Sequence, residues 1–104
     1  MLKKEHRLPT YVFRKIYAKG KTKKGQFVIL RNLNNYQDKS RFGIVISIKA
    51  IKKATARNLA KRRITEIINC HYDKIEKGQD LIFIVKKEAS FSELEKEIFG
   101  LLNV

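Results

Sequence analysis

Arg57, Lys61 and Arg62 recur about one helical turn apart in the stretch ATARNLAKRR, residues 54–63. Arginine forks match two phosphate oxygens at once, and lysine adds a compact point charge. Asn58, beside them, can hydrogen-bond a base edge, a ribose hydroxyl or a phosphate. On a helical wheel Ala54, Arg57, Asn58, Lys61, Arg62 and Thr65 share one stripe, while Ala60, Ile64, Ile67 and His71 lie opposite. Arg63 falls toward the apolar side, where its stem can lie along the edge of the core. A charged outer face is ordinary on an amphipathic helix, but acidic relief is missing from positions 54–65. Like charges at that spacing cost a few tenths of a kcal/mol each, roughly. The stripe therefore reads as a surface for gripping phosphates. Upstream, SIKAIKKA sets Lys49, Lys52 and Lys53 at a strand end and at the mouth of the helix, where free N–H groups also favour anions.

Phe13 and Tyr17 stand one turn apart on an earlier helical segment. They fit either a core or a stacking platform for unpaired bases beside a basic groove, and the two uses are compatible. Other chemistry is poorly served. His6, His71 and the single cysteine, Cys70, have no zinc-ligand spacing. Cys70 and His71 point about 100° apart on a helix and read as a core thiol beside a core histidine. There is no glycine-rich phosphate loop. Glu93, Glu95 and Glu97 fall on an outer helix face without an apolar pocket to tune them. The protein alone does not read as a catalyst.

The elements that must position these residues are legible in outline. Pro9 and Gly20 bracket a helix over about residues 9–19. The basic loop KGKTKKG follows, with room for a short strand. QFVILRNL, about 26–33, and RFGIVISI, about 41–48, read as strands joined by the polar turn NNYQDKS, which predicts an antiparallel hairpin. No Gly or Pro interrupts the pattern from about Ala54 to Tyr72, the longest helix. LIFIV at 81–85 is a continuous apolar run, expected of a central strand covered on both faces. Ser90 and Glu93 have capping-box spacing before a last helix of about 91–102. The order α-β-β-α-β-α predicts an α+β sandwich, helices packed on a mostly antiparallel sheet.

A chain of 104 residues suits one domain, residues 1–104, and 43% hydrophobic residues can supply its core. With 24 Lys+Arg against 10 Asp+Glu, the net charge is +14, and residues 1–74 alone carry 20 basic and 4 acidic residues. A one-signed field of this kind draws a polyanion by attraction and counterion release. Nucleic acid is the partner this favours; an acidic protein and a membrane surface are the alternatives. No apolar stretch approaches the roughly 20 residues of a membrane span. MLKKEHRLPTYVF has no apolar h-region and is not expected to be a signal peptide. One cysteine excludes an intramolecular disulfide and fits a reducing cytoplasm.

Taken in order, the RL…F…Y..GK pattern at 7–21, RFGIVIS at 41–47, KKATARNLAKRR at 52–63, DLIFIVKKEAS at 80–90 and the last amphipathic helix resemble the protein component of bacterial ribonuclease P. Arg57, Asn58, Lys61 and Arg62 match that family's arginine-rich signature, and Leu59 takes the place of its second arginine. The resemblance implies a ribosomal protein S5 domain 2-like fold with a left-handed βαβ crossover. It implies a cytoplasmic ribonucleoprotein, an endoribonuclease to which this chain would be the accessory protein subunit, that removes the 5′ leader of precursor tRNA. Its partners are ribonuclease P RNA and precursor tRNA, with one protein per RNA and no membrane. The RNA subunit holds the Mg²⁺ and carries the catalysis. The resemblance assigns Arg57, Asn58, Lys61 and Arg62 to RNA binding, a surface that Lys49, Lys52 and Lys53 extend by their position, and Phe13, Tyr17, Val28 and Leu30 to a cleft for the leader. A non-catalytic RNA-binding protein, such as a ribosomal protein or RNA chaperone, is the alternative.

Overall fold

A computed structural model describes residues 6–102, so the first five residues of MLKKEHRLPTYVF, not expected to be a signal peptide, lie outside the described residues. Three helices and four strands follow in the order α1 (Thr10–Lys19), β1 (Lys21–Lys24), β2 (Val28–Asn34), β3 (Arg41–Ile46), α2 (Ala54–His71), β4 (Gln79–Val85) and α3 (Phe91–Leu102). The short strand within the basic loop is β1, and a 3-10 turn at Tyr72–Lys74 follows α2. Ser90 and Glu93 form the expected capping box: Ser90 N donates to Glu93 Oε1 at 3.0 Å, and Glu93 N donates to Ser90 Oγ at 3.2 Å.

The strands form one sheet in the order β1-β2-β4-β3. β2 pairs antiparallel with β1 and with β4, whereas β3 pairs parallel with β4. The expected hairpin between β2 and β3 does not form, because β4 lies between them. A seven-residue strand with five apolar residues in succession gains most where both faces and both edges are covered, and that is the centre of the sheet. Parallel pairing of β3 with β4 in turn needs a crossover, which α2 supplies.

The two faces of the sheet carry separate cores. Val28, Leu30, Phe42, Leu81, Phe83 and Val85 face α2 and α3, meeting Ile64, Ile67, Ile68, Leu94 and Ile98. On the opposite face Leu8, Val12 and Ile16 close over Ile82, with Phe13, Leu33, Val45 and Ile84 packed around them. The α+β sandwich is thus a helix, a mixed sheet and a helix pair.

Candidate nucleic-acid interface

α2 turns Ala60, Ile64, Ile67 and Ile68 into the core and leaves Asn58, Lys61 and Arg62 exposed, as the wheel requires. Thr65, placed on the same stripe, is turned inward and only 9% exposed. Asn58, Lys61, Arg62, Glu66 and Asn69 border a shallow depression of about 860 Å³ with Thr65 at its floor. Glu66 ends the stripe one turn beyond Arg62. Among the described residues no carboxylate pairs with Lys49, Lys52, Lys53, Lys61 or Arg62. Arg63 is half-buried and donates Nη1 to the carbonyl of Ala89 at 2.8 Å, at the core's edge as expected.

Arg57 has a second task. Its Nη1 donates to the carbonyls of Ile51 and Lys52 at 2.9 and 2.8 Å, tying the β3–α2 connection to the first turn of the helix. Ile51, 2% exposed, anchors that connection in the core, while Lys49, Lys52 and Lys53 stay exposed. Lys53 at the N-cap offers no side-chain acceptor, and the first turn holds no acid. The first N–H groups of α2 and the three lysines therefore present donors and charge of one sign.

The other face of the sheet carries the aromatic positions. α1 crosses the sheet from β3, where Phe13 packs on Gly43, to β2, where Arg31 meets the helix's last turn. Phe13 is half-buried and Tyr17 is 44% exposed, with the Arg31 guanidinium 5.6 Å from its ring centroid. Val28 and Leu30 do not join them: both are buried against α2 and α3. Because side chains alternate along a strand, Ile29, Arg31 and Leu33 are the β2 residues on the α1 face, paired across the ladder with Ile84, Ile82 and Asp80. Beyond α1, half-buried Ile29, Val45 and Ile84 line the uncovered part of that face.

The remaining sites differ from expectation in two places. Cys70 is exposed, not a core thiol; His71 is half-buried, 3.4 Å from Glu95 and edge-on to Phe99. Glu97 leaves the outer face of α3 and accepts backbone N–H groups from Gln26, Phe27 and Val28, the last two at 2.8 Å. A Cβ on Gly25 would lie 2.5 Å from the Glu97 carboxyl carbon, so glycine lets the β1–β2 turn close on that carboxylate. Among the described residues no cluster of three His, Cys, Asp or Glu side chains converges as metal ligands, and no helix is long and apolar enough to cross a membrane.

Fold and surface define a basic α+β domain with a row of cations, none ion-paired to a described carboxylate, on one helix and the strand end that leads into it. The chain belongs to the ribonuclease P family, whose pattern matches residues 2–104. It is 37% identical over 95 residues to the ribonuclease P protein component of Clostridioides difficile strain 630, covering 88% of this chain and 82% of that relative. The ribonuclease P protein component of Alkaliphilus oremlandii is 32% identical over 94 residues, with 88% and 82% covered. The structure is similar to ribonuclease P protein from Thermotoga maritima, with a TM-score of 0.85 at 31% identity over 92% of this chain and 94% of the other. Membership places the chain among RNA-binding proteins of tRNA processing.

Proposed function

We propose that the chain is the protein subunit of the ribonuclease P ribonucleoprotein and supports endonucleolytic 5′ maturation of precursor tRNA in the cytoplasm. The observation that carries the proposal is the row Lys49, Lys52, Lys53, Lys61 and Arg62, none of which forms an ion pair with a described carboxylate. This row, with Arg57 and Asn58, grips ribonuclease P RNA, one protein to one RNA. Each phosphate contact releases condensed counterions and lowers the repulsion among RNA segments. In this reading catalysis and Mg²⁺ belong to the RNA subunit. The uncovered trough beside α1, with Tyr17 and Phe13 on the helix and Ile29, Val45 and Ile84 on the sheet, holds the single-stranded leader. Apolar walls and an aromatic face suit unpaired bases, which stack without regard to sequence.

The test is reconstitution with a ribonuclease P RNA at low Mg²⁺ and a precursor tRNA substrate. The expected result is cleavage that depends on the protein and an affinity that favours precursor over mature tRNA. Tight binding to ribosomal RNA without any stimulation of cleavage would instead make this an RNA chaperone or ribosomal protein.

A further inference from the structure

One side chain from the sheet holds the C-terminal turn of α1. Arg31 on β2 donates Nη2 to the carbonyls of Tyr17 at 2.6 Å and Ile16 at 3.1 Å, with Gly20 O at 3.4 Å. Its Nη1 donates to Thr22 Oγ1 at 2.6 Å, which ties the same guanidinium to β1. The Ile16 carbonyl also accepts the Gly20 N–H at 2.7 Å; the carbonyls after it lack intrahelical partners and carry partial negative charge, so a cation with several donors is favoured there. The guanidinium carbon also lies 5.6 Å from the centroid of the Tyr17 ring, within cation–π range. Tyr17 nevertheless keeps 44% of its surface exposed. Phe13 is held differently, wedged against the Gly43 backbone with Leu8 beside it.

We infer that Arg31 is the positioning residue for Tyr17. It locks the last turn of α1 to two strands and backs the tyrosine ring with a cation, so that an unpaired RNA base stacks on the part of the ring left open. A ring already held in place loses little freedom when a base lands on it, which favours binding. Lysine cannot substitute, because a single ammonium cannot span the carbonyls, the hydroxyl and the ring face together. The inference rests on the proposal that the trough beside α1 holds single-stranded RNA.

The test titrates the full-length protein with hexauridylate and, in the reconstituted ribonucleoprotein, compares precursor with mature tRNA. Arg31→Lys is expected to weaken hexauridylate binding by about fivefold. In a Tyr17→Leu background the same change is expected to alter affinity by less than about twofold, because the ring it positions is gone. Equal losses in both backgrounds, or wild-type affinity in Arg31→Lys, would overturn the inference. If Arg31→Lys unfolds by circular dichroism, Thr22→Val, which removes only the Nη1 acceptor, is read in the same two backgrounds with a loss of about twofold expected. A wild type that binds hexauridylate but shows no preference for precursor tRNA removes the leader proposal and leaves Arg31 to be judged on the oligonucleotide. A wild type that does not bind hexauridylate overturns the Arg31 inference outright.

Discussion

A Cβ placed on Gly43 of β3 would lie 2.6 Å from Cζ of Phe13 on α1. The helix rests on bare backbone at this point, and the ring has no room to retreat because Leu8 lies on the same glycine. Gly43→Ala is therefore expected to lower stability by about 1–3 kcal/mol, the usual range for overpacking, and to lift α1 from the sheet. Urea denaturation checks the first effect and leader-dependent affinity the second.

Tyr17 and Phe13 should separate under mutation. Tyr17→Ala removes an exposed ring and is expected to cost precursor affinity on the order of 1–3 kcal/mol without moving the unfolding midpoint. Phe13→Ala is expected to lose both, since its ring packs with Leu8, Val12 and Ile16 over Ile82. Equal loss for mature tRNA in either variant would count against a leader trough.

Charge removal and charge relocation on α2 are distinguishable by salt. Lys61→Ala is expected to reduce the slope of log affinity for ribonuclease P RNA against log salt by roughly 0.7–0.9, one phosphate contact. Arg57→Ala combined with Lys61→Ala should reduce it further. Arg57→Lys keeps the charge but loses the fork on the Ile51 and Lys52 carbonyls. It should weaken binding at every salt concentration with the slope nearly unchanged. An unchanged affinity and slope in the double variant would remove α2 from the interface.

Glu97 gathers three backbone donors of the β1–β2 turn. Glu97→Ala strands them and is expected to cost about 1–3 kcal/mol in chemical denaturation. Glu97→Gln keeps one acceptor oxygen and should lose less.

The capping box gives a pH dependence with a definite sign. Hydrogen bonds from the Ser90 backbone and side chain hold the Glu93 carboxyl below its ordinary value of 4.5. Its contribution is thus present above that ordinary value and is lost as pH falls through the lowered one. Ser90→Ala, which removes the hydroxyl partner, should flatten the acid limb of the unfolding midpoint below pH 4.5 while leaving neutral pH less affected.

Local patterning carried most of the elements and the basic stripe, because both depend on residues a few positions apart. The strand order did not follow from it: β2 and β3 are neighbours in the chain, and only the burial demand of Leu81–Val85 on both faces draws β4 between them. The same two-sided burial hid the orientation of β2. Val28 and Leu30 alternate with Ile29 and Arg31, yet nothing in the alternation says which set meets α1. Cys70 follows the buried pair Ile67 and Ile68 closely enough to look internal, but it lies past the arc that the sheet covers. Glu97 and Arg31 act on partners 69–71 and 9–15 residues away, or on carbonyls, and neither signal exists in residue type alone.

β3 is an edge strand, and at that edge the two surfaces of the molecule meet. Phe13 and Leu8 from one side of the sheet and Lys61 and Thr65 from the other line a single depression of about 270 Å³ around Gly43 and Ile44. There the sheet is a spacer one strand thick between the α1 face and α2. Under the proposed function the sheet itself sets the distance between a nucleotide beside α1 and a phosphate on α2, and an RNA engaging both would have to curve around β3.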